Sequence, residues 1–302
     1  MKVKKMNKTI ENNSEILFLY DANKSNPNGD MDDENKPRMD KINKINLVSD
    51  VRIKRYIRDY LKNFKGQDLF IDEEAENSKD RGKQLKTQNK KWIDCIDVRM
   101  FGAVLAQKED EDKKGTNDHF TGPIQFNWAS SLNKVELQKT KTITSSFGSG
   151  EGIGSDYRVV YSFLAVSGSI NAHNAIKTNL SEEDINMFDE AMLKSIPLCK
   201  TRSKTGQYPR LYIRLETSNN IVLKDLREFT KLEKNDNLIS IDDVKLQISE
   251  LISYLKQNKS IIKKLVIWKD QKLNLYETNN LISLDELKTK IGIVNFLVLS
   301  LN

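Results

Sequence analysis

Ile16-Leu17-Phe18-Leu19-Tyr20 is a continuous apolar run and reads as a short buried strand. The chain then crosses a long loop from Asp21 to about Leu47 that carries the turn signal Asn26-Pro27-Asn28-Gly29-Asp30 and, further on, Lys36-Pro37-Arg38. Loops of this length inside a compact domain are functional or disordered. Ser49 is suited to cap the next element, where Ile53, Tyr56, Ile57, Tyr60, Leu61 and Phe64 recur at helical spacing. On the same helix Arg52, Lys54, Arg55, Arg58, Lys62 and Lys65 oppose only Asp50 and Asp59. They read either as the solvated face of a core helix or as a basic ridge beside the long loop.

Beyond this helix a second basic segment runs from Lys79 to Lys91, between the acidic clusters Asp72-Glu73-Glu74-Ala75-Glu76 and Glu109-Asp110-Glu111-Asp112. After Gly122-Pro123, the alternation of Ile124, Phe126 and Trp128 with polar or small residues predicts a half-buried strand. From Lys134 to Tyr157 the composition turns to Thr, Ser and Gly, which predicts a projecting hairpin with a glycine-rich tip. Tyr157 to Val166 reads as one strand, with a bulge expected at Gly168. Ser181-Glu182-Glu183-Asp184 is a helix-capping signature, followed by the stripe Ile185, Phe188, Met192 and Ile196. A loop with Lys200, Arg202 and Lys204 leads to a strand from Tyr208 to Glu216, in which Arg210, Tyr212 and Arg214 face away from Leu211, Ile213 and Leu215. Stripped of insertions the order is β-α-β-β-α-β, an α+β chain of ferredoxin-like or RNA-recognition topology. The tail from about Leu223 is nearly balanced in charge and predicts a helix around Leu246–Leu255 and strands at Leu265–Trp268 and Phe296–Leu299.

Composition narrows the function. The 302 residues are 38% hydrophobic and 30% charged, with a net charge of +6, as in a globular protein with a charged surface that permits a polyanionic partner. Two isolated cysteines, Cys95 and Cys199, and two histidines, His119 and His173, make no zinc motif. No apolar stretch approaches the length of a membrane span, so the expectation is a cytoplasmic protein with no membrane partner. Gly148, Gly150, Gly152 and Gly154 lack phosphate-loop spacing and precede a strand rather than a helix. Neither histidine has a nucleophile motif around it. Asp30, Asp32, Asp33 and Glu34 have the chemistry to hold a cation, but Asp30 after Asn28-Gly29 has the pattern of a turn residue. No catalytic residue, metal site or cofactor is expected. The signal with more content is distributed: basic residues beside aromatics, a basic helix after a long loop, and a Thr/Ser/Gly hairpin. Together these suit single-stranded nucleic acid, whose phosphates need Lys or Arg and whose bases stack on aromatic rings.

Several runs carry a resemblance: Asn26-Pro27-Asn28-Gly29-Asp30, Lys36-Pro37-Arg38-Met39-Asp40, Val48 through Arg58, Asp97-Val98-Arg99-Met100-Phe101-Gly102, Gly122-Pro123-Ile124-Gln125-Phe126, Asp156-Tyr157-Arg158-Val159 and Arg202-Ser203-Lys204. In collinear order they resemble the CRISPR-associated Cascade backbone subunit of type I-B systems. The resemblance implies a palm with insertions over residues 1–222, fingers at about 66–122, a thumb at about 134–157, and an α/β extension over 223–302 packed on the palm. It implies no catalysis, but several copies in a helical filament on CRISPR RNA, beside other Cascade subunits, leaving the guide bases free to pair with a target DNA strand. Carried onto this chain, the RNA-binding residues would be Lys36, Arg38, Ser49, Arg52, Lys54, Arg55, Arg58, Ser146, Phe147, Arg158, Arg202 and Lys204. Phe147 would stack on a displaced base. A second reading is a divalent-dependent endoribonuclease that cuts target RNA with Asp30, as the related type III backbone subunits do. A third is a basic structural protein with no nucleic-acid role.

Overall fold

The computed structural model describes residues 8–106, 117–144 and 153–301. Strand β1, Asn12–Asn23, extends the apolar run at both ends and lies inside a nine-stranded sheet. Across that sheet the strands run Phe296–Val298, Ile262–Lys269, Gln207–Ser218, β1, Tyr161–Ile170, Ala129–Ser131, Ile45–Val48 and Met39–Asp40. Ile124–Phe126 pairs with a further stretch of the Tyr161–Ile170 strand. β1 is antiparallel to both neighbours, with Phe18 opposite Val166 on one side and Tyr212 on the other.

Side chains alternate between the faces of a strand, and here both faces are covered. Ile16, Phe18 and Tyr20 belong to a core closed by helix α1, Asp50–Lys65, and by the Glu182–Leu198 helix, through Ile53, Tyr56, Ile57, Phe188 and Met192. Leu17 and Leu19 belong to a second core, with Leu211, Ile213 and Leu215 from the same sheet and Leu246, Leu251, Leu255 and Ile291 from the C-terminal region. That region also adds the Ile262–Lys269 and Phe296–Val298 strands to the sheet itself, the first antiparallel to Gln207–Ser218. A four-stranded sheet and the helices Ser249–Gln257 and Leu284–Ile291 also belong to it.

Several local expectations change. Trp128 is not part of a strand; Ile124–Phe126 ends before it, and its side chain is 44% exposed. Val160 separates the Ile153–Val159 strand from Tyr161–Ile170, so the expected single strand is two. Gly168 marks a close approach rather than a bulge. It pairs in register with Phe126, and a Cβ there would meet that ring at 2.6 Å. Phe64 lies outside the core, half-exposed and stacked on Tyr60 at 5.5 Å.

Arg210, Tyr212 and Arg214 present no basic-aromatic surface, because all three are buried. The Arg214 guanidinium donates to Asp189 at 2.7 Å and 2.9 Å, and the Tyr212 hydroxyl donates to the same carboxylate at 2.6 Å. Arg210 is paired with Asp21 at 2.8 Å and Asp270 at 3.2 Å. Asp189 stands one turn after Ile185, so the helix stripe that faces the sheet carries a carboxylate at the height of Arg214. Asp189→Ala leaves that buried guanidinium with only Glu216, at 3.5 Å, as a counter-ion, a change that costs up to about 3–5 kcal/mol. The expected result is a large fall in the urea midpoint of the full chain. An unchanged midpoint would show that the pair does not hold helix to sheet.

Candidate nucleic-acid interface

Four segments converge at one end of β1. Asn26 is buried in the long loop; its amide N–H donates to the Ser203 carbonyl at 2.8 Å and its side-chain Nδ2 to the Asn35 carbonyl at 2.7 Å. Asn28 Oδ1 accepts from both the Ser49 N–H, at 2.9 Å, and the Ser49 hydroxyl, at 3.0 Å. Ser49 in turn caps α1, accepting from the Arg52 N–H at 3.3 Å. At the foot of the Leu137–Thr144/Ile153–Val159 hairpin, Arg158 donates to the Lys24 carbonyl at 2.9 Å and to the Arg202 carbonyl at 3.4 Å. The Asn-Pro-Asn-Gly-Asp turn thus binds the start of α1 to the 200–206 loop. Asn26 and Asn28 are site-building residues whose side-chain roles the turn signal did not show.

The candidate cations fall into two groups. Most are already neutralised. Lys36 pairs with Asp33 at 2.7 Å and lies 5.1 Å from the Tyr157 ring centre. Arg38 pairs with Asp30 at 3.2 Å, Lys54 with Asp50 at 3.1 Å, and Arg55 with Asp59 at 2.6 Å and Glu73 at 3.1 Å. Arg158 and Arg202 share Asp156, at 2.8 Å and 3.5 Å. Arg58 is not on a surface ridge at all. Its side chain is only 7% exposed and meets the fully buried Asp97 at 3.1 Å, so α1 turns this residue into the core.

Arg52 and Lys204 are different. Among the described residues, no carboxylate lies within 4.0 Å of either. Arg52 lies over the Tyr56 ring, 3.9 Å from its centre, and its Nε is buried without a partner. Lys204 donates to the Asn26 carbonyl at 2.5 Å, and Arg52 is the charged group that acts on it. Ser25 Oγ and Asn26 Oδ1, in the loop against it, are also buried and unpartnered. A buried polar group without a partner costs about 1–3 kcal/mol, so this corner is poorly satisfied in the free chain. Two half-buried cations beside a helix N-terminus have the chemistry to receive an oxyanion.

Other candidates gather less chemistry. Asp30 is engaged by Arg38 and by the Asp32 N–H at 3.4 Å. His173 is exposed on the short Ala172–Thr178 helix. Ser146 and Phe147 lie outside the described residues, as do Gly148, Gly150 and Gly152. Among the described residues, no cluster of three or more His, Cys, Asp or Glu is placed to hold a metal, and no helix is long and apolar enough to cross a membrane.

Burial, reinforced by the Arg52 charge, pulls the Lys204 amine down from its usual 10.5 to about 7. The unfolded chain therefore holds more protons than the folded one between these values. Stability is gained as pH rises through that window, and the full cost of the buried charge is present below it. Lys204→Met should raise the melting temperature by about 2–6 °C near neutral pH, with the gain shrinking towards about pH 10. Melting curves across that range check it; a variant less stable than the parent at neutral pH would contradict it.

Comparison with known proteins gives the family of the chain. The family model described as CRISPR-associated protein Cas7 matches residues 12–249. The chain is 31% identical over 316 residues to the CRISPR-associated protein Cas7 of Haloferax volcanii, covering 92% of this chain and 93% of that one. It is similar in fold to a chain of a solved CRISPR RNA-guided surveillance complex, with a TM-score of 0.53 at 14% identity, covering 93% of this chain and 98% of the other. A second such complex, in a pre-nicking state, gives a TM-score of 0.55 at 12% identity over 93% and 99% of the two chains. The extent of the family match and the near full-length relative together establish that this chain belongs to the CRISPR-associated Cas7 family.

Proposed function

We propose that this chain is a backbone subunit of a type I-B CRISPR surveillance complex. Several copies bind CRISPR RNA along its spacer through contacts that ignore base identity, and hold the guide for pairing with a target DNA strand. The observation that carries the reading is the Arg52–Lys204 pair, with no carboxylate of the described residues within 4.0 Å, at the convergence of the long loop, the α1 N-terminus and the 200–206 loop. A phosphodiester supplies the missing negative charge. Ser49, Arg158 and Arg202 frame the same seat. Lys36, Arg38, Lys54 and Arg55 reach phosphates only by sharing the carboxylates they now hold, and Arg58 supports α1 from within. The subtype rests on the collinear motifs from Asn26 to Lys204.

The palm is read as RNA-recognition-like. In support, the strands Gln207–Ser218, β1, Tyr161–Ile170 and the 124–131 segment lie in the order fourth, first, third, second, all antiparallel, with the two connecting helices on one face. The sheet face that stacks bases in many RNA-recognition domains is here covered by the C-terminal region, which moves the grip to the loop end. The hairpin over Leu137–Thr144 and Ile153–Val159 is the thumb in this reading, with Phe147 against a displaced base. Further copies of the chain and other Cascade subunits are its partners, in the cytoplasm, and the chain itself does not cut.

Affinity for single-stranded RNA should fall with salt at roughly 0.7 log units per phosphate neutralised, and should be the same for unrelated spacers. Arg52→Ala should weaken binding about tenfold or more with little loss of fold, whereas Arg58→Ala should lower stability by leaving Asp97 unpaired. Salt-independent binding, or full affinity in Arg52→Ala, would contradict the reading. Incubation with complementary RNA and a divalent cation should leave both strands intact. Cutting that disappears in Asp30→Ala would favour the endoribonuclease instead.

A further inference from the structure

We propose that Lys204 takes up a proton when a phosphodiester enters the seat between it and Arg52, so that RNA binding by this chain is coupled to proton uptake. The inference rests on the RNA-binding reading above and goes beyond it by assigning a linkage to one side chain.

The geometry leaves Lys204 few ways to stay charged in the free chain. Its Nζ is directed to a backbone carbonyl, Asn26 at 2.5 Å, rather than to a carboxylate. Its neighbour is a second cation, and Arg52 is itself fixed over Tyr56. The charged groups on the elements around its loop offer no relief. They include Arg52 on α1, Lys24 in the long loop, Arg202 and Lys200 on its own loop, the latter 5.4 Å from the Tyr208 ring centre, and Arg158 with Asp156 at the foot of the hairpin. Asp156 is already shared between Arg158 and Arg202, at 2.8 Å and 3.5 Å. Asp59 and Cys199 interact with Arg52, and Arg52 is the charged group that acts on Lys204. Desolvation and the like charge accordingly hold the free amine near 7.

A phosphate reverses both conditions. Its charge cancels the repulsion from Arg52, and its oxygens accept from the ammonium, so the bound amine returns towards the ordinary lysine range. Solvent supplies the proton to the amine lone pair, and no covalent bond changes at the phosphate. Above the free value each complex then takes up close to one proton at this site, and affinity falls about tenfold per pH unit. Below it the dependence disappears.

The test uses the full chain and an oligoadenylate carrying a rhodamine-type label; neither the bases nor the label titrates near neutrality. Affinity is measured by anisotropy from about pH 6 to about pH 9. Calorimetry near pH 8 in two buffers of different ionisation enthalpy counts the protons. The expected result is a flat profile that turns downward near neutrality, with buffer-dependent heats. Lys204→Arg, charged throughout, should bind with a flat profile and no buffer dependence. Lys204→Gln should bind more weakly, and also without slope, which keeps the test intact if the arginine does not fit. Equal slopes in the parent and the variants, or heats independent of buffer, would overturn the proton linkage while leaving RNA binding in place. A parent that fails to bind at every pH would overturn the RNA reading and this inference with it.

Discussion

Both faces of β1 are buried, and the rest of the molecule is arranged around that constraint. Ile16, Phe18 and Tyr20 are closed in by two helices, and Leu17 and Leu19 by the C-terminal region. Over Ile16–Tyr20 the sheet is covered on both sides and offers no face to a ligand. Open positions lie towards its ends, one of them where the chain leaves β1 into the long loop. Asn26 and Asn28 organise that end by tying the loop to the 200–206 segment and to the cap of α1. The site is therefore a consequence of where the core is complete rather than an addition to it.

Charge accounting separates scaffold from site within this basic chain. Arg58, Arg210 and Arg214 are buried and matched by Asp97, Asp21 and Asp189, so their charges hold elements together. Surface pairs such as Arg55–Asp59 contribute little to stability and are screened by salt. Arg52 and Lys204 are half-buried and unmatched, which disfavours the free chain and favours a bound anion. A stable fold with a destabilised corner is the pattern expected where binding rather than stability has set the residues.

Much of the fold was legible because periodicity reports burial directly. The α1 stripe, the Ser181 cap and the central apolar strands all describe which side chains leave water. Strand order was legible only as a topology, since register depends on partners far along the chain. The site was legible as a region but not as a set of residues. Arg52 and Arg58 are alike in sequence, six positions apart on one basic helix; Asp97, thirty-nine residues later, decides that one of them is structural. Arg210, Tyr212 and Arg214 have the pattern of a binding strand, but Asp189 on the helix above takes up Tyr212 and Arg214, and Asp21 and Asp270 take up Arg210. The position of Asp189 one turn after Ile185 was the available signal. Lys204 stood out only through the resemblance carried by Arg202-Ser203-Lys204; in space, the absence of a nearby carboxylate among the described residues sets it apart.

The account stands or falls on whether RNA occupies the corner between the long loop, α1 and the 200–206 loop. Cross-linking of the full chain to a thiouridine-bearing single-stranded RNA, followed by mass spectrometry of the adducts, measures that directly. Adducts are predicted on peptides from residues 23–38, 49–55 and 200–206 and on the hairpin, and should be displaced by unlabelled RNA of unrelated sequence. Adducts confined to the C-terminal region, or to the Lys79–Lys91 segment, with none at Arg52 or Lys204, would contradict it.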